Sequence, residues 1–116
     1  MTTQIQLYRN RQPTEYYALV DDDVAYHLQQ HRWSVFKPIG SRTMYACAFI
    51  CGATVYMHQL VAGQKDGLEI DHCDGNGLNN TAENLRHVTH AENIQAIHSL
   101  NAYRTWKAGR KQERTL

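Results

Sequence analysis

The chain has 116 residues, enough for one small domain with a modest core. Its composition, 42% hydrophobic and 20% charged with two prolines, excludes a disordered or low-complexity chain. The sequence has no run of ~18 apolar residues, which excludes a membrane-spanning helix. The first residues lack the apolar core of a secretory signal, so we expect the protein to work in a cytoplasm.

Short strands and one small helix are predicted for the first part of the chain. Residues 5–8 alternate apolar and polar side chains, which predicts an edge strand, and residues 16–20 predict a second strand. The acidic cluster Asp21–Asp23 is expected to cap a helix over residues 24–31, because carboxylates satisfy the free amides at a helix start.

The next elements are again short and β-rich. A turn containing Pro38, Gly40 and Ser41 is predicted between two strands, and a helical turn over residues 58–62 is predicted to end at Gly63. The strands predicted here cover residues 33–37, 44–50 and 54–57.

A strand, an ordered loop, a second strand and a helix are predicted from residue 68 onwards. The loop over residues 73–80 is rich in Asn, Asp and Gly, which bond their own backbone or tolerate positive φ. Residues 84–88 predict the returning strand, and Thr89 with Glu92 forms the capping-box pattern of a helix start. The predicted helix has an apolar face of Ala91, Ile94, Ile97 and Leu100. The fold class is therefore α+β.

Four polar residues lie at the ends of the strands and in the first helical turn of this predicted unit. Asp71 and His72 end its first strand, Asn84 begins its second, and Asn93 lies in the first turn of its helix. Carboxylate and amide oxygens suit Mg²⁺ or Mn²⁺, and a neutral imidazole can accept a proton from water. Together they supply a Lewis-acid site and a general base, the minimum for hydrolysing a phosphodiester. Adjacent residues of a regular strand point to opposite faces, so we expect the strand to be twisted or broken between Asp71 and His72.

The same residues resemble the signature of the HNH endonuclease family. The resemblance is carried by Asp71-His72-Cys73-Asp74-Gly75-Asn76-Gly77-Leu78-Asn79-Asn80, then Asn84-Leu85-Arg86, Thr89 and Asn93. It is closest to the phage and intron-associated homing branch, in which the last His of the family name is replaced by Asn. Residues 56–63, and residues 18–23 with Trp33 beyond them, are also similar to that branch.

The resemblance implies a single endonuclease domain that acts on double-stranded DNA. Residues 1–53 would be an N-terminal β-rich part, residues 54–100 a ββα-metal core and residues 101–116 a basic C-terminal helix. His72 would be the general base, and Asp71 and Asn93 would hold one divalent cation, Mg²⁺ or Mn²⁺. Asn84 would fix the loop in place.

DNA contacts are expected from basic residues near the site and at the C-terminus. Arg86 is expected to contact a phosphate, and His90 either contacts DNA or the metal or faces solvent. Residues 101–116 contain five Lys or Arg and one Glu, a pattern typical of polyanion binding, although a solvated helix face is the alternative. The basic residues of this tail are Arg104, Lys107, Arg110, Lys111 and Arg114.

Structural roles are expected for the cysteines and for His58. Cys47, Cys51 and Cys73 include no paired C-x-x-C motif, so buried free thiols are favoured over structural zinc. His58 is expected to be a buried hydrogen-bonding group under the hairpin.

Two other functions stay open at this point. One is a DNA-binding module that has lost catalysis, and the other is a nuclease directed at RNA. A monomer would nick one strand, whereas a homodimer would cut both.

Overall fold

The computed structural model describes residues 1–93. Their fold is α+β, as predicted, and none of their helices is long and apolar enough to cross a membrane. The elements are β1 (Thr2–Arg9), β2 (Gln12–Asp21), α1 (Asp22–Leu28), β3 (Ser34–Phe36), β4 (Tyr45–Ile50), β5 (Ala53–Tyr56), α2 (Met57–Ala62), β6 (Glu69–His72), a 3₁₀ turn (Ala82–Asn84) and β7 (Leu85–Val88). The predicted apolar positions Ile94, Ile97 and Leu100 and the predicted basic helix over residues 101–116 lie outside the described residues.

Five strands form a sheet in the order β2-β1-β3-β4-β5. The prediction that β1 is an edge strand is wrong, because β3 lies beside it through the parallel pair of Tyr8 and Ser34. Hydrophobic alternation shows which face of a strand is buried, and it carries no information about the strand's neighbours. The turn from β1 to β2 has Asn10 and Arg11 at φ 51° and 65°, the left-handed conformations of a two-residue hairpin turn.

The core lies against one face of this sheet. Trp33 is fully buried, and its indole N–H donates to the carbonyl of Leu28 at 2.7 Å, so its polar atom is satisfied. Leu78, from the loop between β6 and β7, belongs to the same cluster. The other members are Ile5, Leu7, Ala18, Val20, Ala25, Leu28, Val35, Ala46, Ala48 and Met57.

Helix α1 differs from its prediction at both ends. It begins at Asp22 and ends at Leu28, and Asp21 at its N-cap makes no side-chain capping bond. The Asp21 carboxylate instead accepts the backbone N–H of Ala82 at 2.9 Å, a contact across 61 positions. The acidic residues were predicted to cap this helix, but the Asp21 carboxylate binds the amide of Ala82 instead. A contact between residues so far apart cannot be seen in the local sequence pattern.

The short elements that follow agree closely with prediction. Ser41 donates its N–H to the carbonyl of Pro38 at 3.0 Å, which forms the predicted turn. Helix α2 ends at Gly63, whose φ of 74° is left-handed.

The loop between β6 and β7 docks onto the five-stranded sheet. The N–H of Leu19 donates to the carbonyl of Leu78 at 2.8 Å, and the N–H of Asn80 donates to the carbonyl of Leu19 at 2.7 Å. The N–H of Gly77 also donates to the hydroxyl of Thr43, just before β4, at 2.8 Å. The two-stranded β6–β7 sheet is too small to be stable alone, and these bonds attach it to the main core.

Four rings form a second contact between the sheets. His58 on α2 lies edge-on to His72 with ring centroids 4.9 Å apart, and it stacks on Tyr56 at 5.4 Å. Tyr45 completes this ring cluster, 5.7 Å from His72. Burial, and then the charge of His72, lower the pKa of His58 to about 4. Its Nδ1 is buried with no hydrogen-bond partner among the described residues.

Replacing Gly77 with Ala is expected to destabilise the protein by about 3 kcal/mol. A Cβ there would overlap the backbone carbonyl of Met44 and lie 2.7 Å from the Tyr45 ring. Gly75→Ala is the control, since Gly75 has open space but a φ of 77°, and we expect it to cost about 1–2 kcal/mol. Urea unfolding measures both, and a Gly77 variant no less stable than the Gly75 variant would contradict the close packing.

Acid is expected to weaken the fold through His58. Because its pKa is about 4 in the folded protein against 6.5 ordinarily, the unfolded chain binds a proton first as the pH falls. The contribution of neutral His58 is therefore intact above pH 6.5 and decreases towards pH 4. In urea unfolding across this range, the free energy of the wild type should fall more steeply than that of His58→Gln; parallel curves would show that the ring is not held neutral.

Candidate active site

Asp71 and His72 occupy opposite faces of the β6–β7 hairpin. The ladder is regular through the pairs Asp71–Arg86 and His72–Leu85. The pairing continues between Asp71 and His72, so the strand is not broken there, and the chain leaves the strand only at Cys73. Adjacent side chains on a regular strand alternate in direction, so the two groups have different surroundings.

The carboxylate face carries an ion pair. The Arg86 Nε donates to the Asp71 Oδ2 at 3.0 Å, directly across the two strands. The Asp71 side chain is 14% exposed, so the pair is partly shielded from water. Arg86 thus lies beside the site, as the sequence indicated, and its Nε bonds the carboxylate that was expected to bind a cation.

Glu69 lies on the same face as Asp71, two residues earlier in β6. The Asn93 Nδ2 donates to the Glu69 Oε1 at 2.7 Å, and the His90 Nδ1 lies 2.6 Å from the Glu69 Oε2. The hydrogen bond from Asn93, followed by that from His90, lowers the pKa of Glu69. Sequence reasoning missed Glu69, although its spacing of two residues from Asp71 places it on the same strand face.

The first turn of the following helix, residues 90–93, is fixed by the predicted capping box. The Thr89 N–H donates to the Glu92 carboxylate at 3.0 Å, and the Glu92 N–H donates to the Thr89 hydroxyl at 3.2 Å. The backbone bond from Thr89 lowers the pKa of Glu92. The prediction of a helix start at Thr89 is confirmed, and it places Asn93 in the first turn, where its N–H bonds the Thr89 carbonyl at 3.0 Å.

The imidazole face is more deeply buried. His72 is 6% exposed, and its Nε2 lies 2.8 Å from the Oδ1 of Asn80, which is fully buried. A carbonyl oxygen only accepts hydrogen bonds, so this contact places a proton on Nε2 and leaves the lone pair of a neutral ring on Nδ1. The Asn80 Nδ2 has no partner among the described residues. The sequence showed Asn80 only as part of the loop.

Asn84 closes the loop that follows His72. Its Oδ1 accepts the N–H of Asp74 at 2.9 Å, and its Nδ2 donates to the Asp74 carboxylate at 2.9 Å and to the Asn79 carbonyl at 2.8 Å. Its own backbone carbonyl accepts the N–H of Cys73 at 2.6 Å. Asn84 is 7% exposed, so the loop closes over a buried amide.

The remaining candidates lie apart from these groups. Cys73 is buried, but Cys51 is exposed and Cys47 is half-buried, with a pKa raised by burial. Burial of all three thiols was expected, and it is found only for Cys73. Within residues 1–93, no three His, Cys, Asp or Glu side chains are grouped to hold a metal ion. The predicted DNA-binding residues Arg104, Lys107, Arg110, Lys111 and Arg114 lie outside the described residues.

Comparison with known proteins shows what this part of the chain is similar to. Residues 55–95 match the model of the HNH endonuclease family, a range that begins in β5 and ends just beyond Asn93. The DNA endonuclease I-HmuI of Bacillus phage SP01 is 45% identical over 49 residues. That match covers 38% of this chain and only 28% of the phage enzyme. No solved structure matches the chain.

The matched range coincides with the structural unit described above. It contains the ring-bearing helix α2, the β6–β7 hairpin, the loop closed by Asn84 and the first turn of the capped helix. In this segment the chain is similar to the HNH endonuclease family and to a phage enzyme.

Proposed function

We propose that the protein is a metal-dependent endonuclease that hydrolyses DNA phosphodiester bonds, with His72 as general base. The observation that carries the proposal is the arrangement of Asp71, His72 and Asn93 around one hairpin within residues 55–95, the family segment. His72 is the last residue of its strand, so both faces of the hairpin adjoin the strand end. A phosphate lying across that end would meet both the carboxylate and the imidazole.

The donor chemistry of the carboxylate face fits a hard divalent cation. Asp71 supplies a carboxylate and Asn93 an amide oxygen, and Mg²⁺ typically takes only one or two protein oxygens and completes its coordination with water and phosphate. When bound, Mg²⁺ or Mn²⁺ supplies Lewis-acid stabilisation of the charge that develops on the leaving oxygen.

His72 would accept a proton from the attacking water. Its Nε2 is directed at Asn80, so Nδ1 is the nitrogen that carries the lone pair in the neutral ring. Asn84 supports this arrangement from a distance, because its bonds hold the loop that contains Asn80.

Positive charge near the site would position the substrate. Arg86 lies beside Asp71 and would contact a backbone phosphate, and the exposed His90 lies on the helix turn that carries Asn93. The C-terminal residues Arg104, Lys107, Arg110, Lys111 and Arg114 would add phosphate contacts that weaken with salt. A monomer with this single site would nick duplex DNA, and a homodimer would be needed to cut both strands.

Two observations favour a second candidate, a DNA-binding module without catalysis. The Asp71 carboxylate is already paired with Arg86, and His72 is only 6% exposed. Cleavage assays distinguish the two functions, because the module would bind duplex DNA without cutting it.

His72→Ala is expected to reduce cleavage by about 10²–10⁴-fold while DNA binding is retained, since only the proton acceptor is lost. The assay is nicking of supercoiled plasmid with Mg²⁺, with a chelator as negative control and a labelled RNA to test the alternative substrate. His27→Ala on the exposed side of α1 is the matched variant and should cleave like the wild type. If the His72→Ala variant cleaves as fast as the wild type, His72 is not the general base. If the wild type cuts no DNA, the binding module is favoured.

Asp71→Ala and Asn93→Ala are each expected to raise the Mn²⁺ concentration needed for half-maximal cleavage by at least about tenfold, because each removes a metal ligand. A Mn²⁺ titration of nicking measures this shift, with His27→Ala again as the control. An unchanged Mn²⁺ requirement in either variant would show that the replaced side chain does not hold the cation.

A further inference from the structure

Within the proposed function, we infer that Glu69 is a positioning residue that orients the Asn93 amide so that its oxygen is presented to the cation. Glu69 precedes Asp71 by two residues and shares its face of β6. Its carboxylate links this strand to the first helical turn through both Asn93 and His90. Neither the family match nor the sequence pattern assigns it a role.

The chemistry of the Glu69–Asn93 contact determines which end of the amide is available. An ionised carboxylate accepts hydrogen bonds and donates none, so Asn93 must direct its Nδ2 at Glu69, as observed at 2.7 Å. The amide is planar, and Oδ1 therefore points away from Glu69. An amide rotated by half a turn would bring its oxygen towards the carboxylate and expose an N–H to the cation, and both interactions would be repulsive.

The position of Glu69 also brings the helix turn to the correct strand face. Side chains two apart on a strand are separated by roughly 7 Å, so a group bonded to Glu69 lies over the face that carries Asp71. His90 and Asn93 are three residues apart and lie on one side of the helix, and Glu69 accepts a bond from Asn93 and contacts His90. The Thr89–Glu92 box fixes where the helix starts, whereas Glu69 fixes which strand position its first turn meets.

Direct metal binding by Glu69 is the competing role. Both of its oxygens already have partners, Oε1 with Asn93 and Oε2 with His90. A residue that positions a ligand is replaceable by a neutral acceptor of the same shape, but a residue that binds the cation with its charge is not. Partners that orient metal ligands typically change metal affinity by 10–100-fold when they are removed.

The test is Mn²⁺ binding to the full chain without DNA, followed by the electron paramagnetic resonance signal of free Mn²⁺. We expect Glu69→Ala to weaken Mn²⁺ binding by about 10–100-fold and Glu69→Gln, which keeps an oxygen acceptor for Asn93, to stay within about threefold of the wild type. Glu92→Gln is the matched control, because it removes one negative charge from the same turn and keeps the capping box. It should bind Mn²⁺ like the wild type.

Each other outcome has a definite meaning. If Glu69→Gln weakens Mn²⁺ binding as much as Glu69→Ala does, Glu69 contributes its charge directly and the positioning role is overturned. If Glu69→Ala binds Mn²⁺ as tightly as the wild type, Glu69 has no role in metal binding. Asn93→Ala separates this inference from the function on which it rests. If Asn93→Ala weakens Mn²⁺ binding but Glu69→Ala does not, only the role of Glu69 fails. If Asn93→Ala binds Mn²⁺ as tightly as the wild type, or if the wild type does not bind Mn²⁺, the proposed metal site and the role of Glu69 fail together.

Discussion

Asn84 accepts a hydrogen bond from the backbone of Asp74 and donates to the Asp74 carboxylate and to the carbonyl of Asn79, all from a buried side chain. These bonds set the shape of the loop that starts directly after His72. The same loop carries Asn80, which lies 2.8 Å from the imidazole, and Leu78, which belongs to the core cluster of the larger sheet. An unpaired buried amide is costly, so the loop and Asn84 are expected to be ordered together.

The loop connects two sheets of very different size. The β6–β7 hairpin has only four paired positions on each strand, and it depends on the five-stranded sheet for a core. Backbone bonds at Leu19 and the ring contact between His58 and His72 attach it on two sides. The N-terminal sheet thus supports the hairpin and its loop.

Local patterns in the sequence predicted local structure well. The Thr89 capping box and the helix end at Gly63 were found where expected, because each depends on residues only a few positions apart. The bond from Ala82 to Asp21 and the place of β3 beside β1 were missed, because both join residues that are distant along the chain. The candidate site shows the same contrast between contacts of neighbouring residues and contacts of distant residues.

Asp71, His72, Asn84 and Asn93 were found as candidates by their spacing, whereas the partners that orient them depend on tertiary contacts. Glu69 and Asn80 carry no motif of their own, and they emerge only when the strand meets the helix turn and the loop folds back. The opposite directions of Asp71 and His72 follow from the regular ladder. In the proposed function, the substrate therefore lies across the end of the hairpin.

In the proposed function, Asp71, His72 and Asn93 act on one phosphate with one cation. A crystal structure with duplex DNA and Mn²⁺, in which the metal is located by its anomalous scattering, tests this most directly. The account predicts one Mn²⁺ in contact with oxygens of Asp71 and Asn93 and of a DNA phosphate, with the His72 ring facing the same phosphate. A cation bound elsewhere, or a His72 ring that stays turned away from the bound DNA, would contradict it.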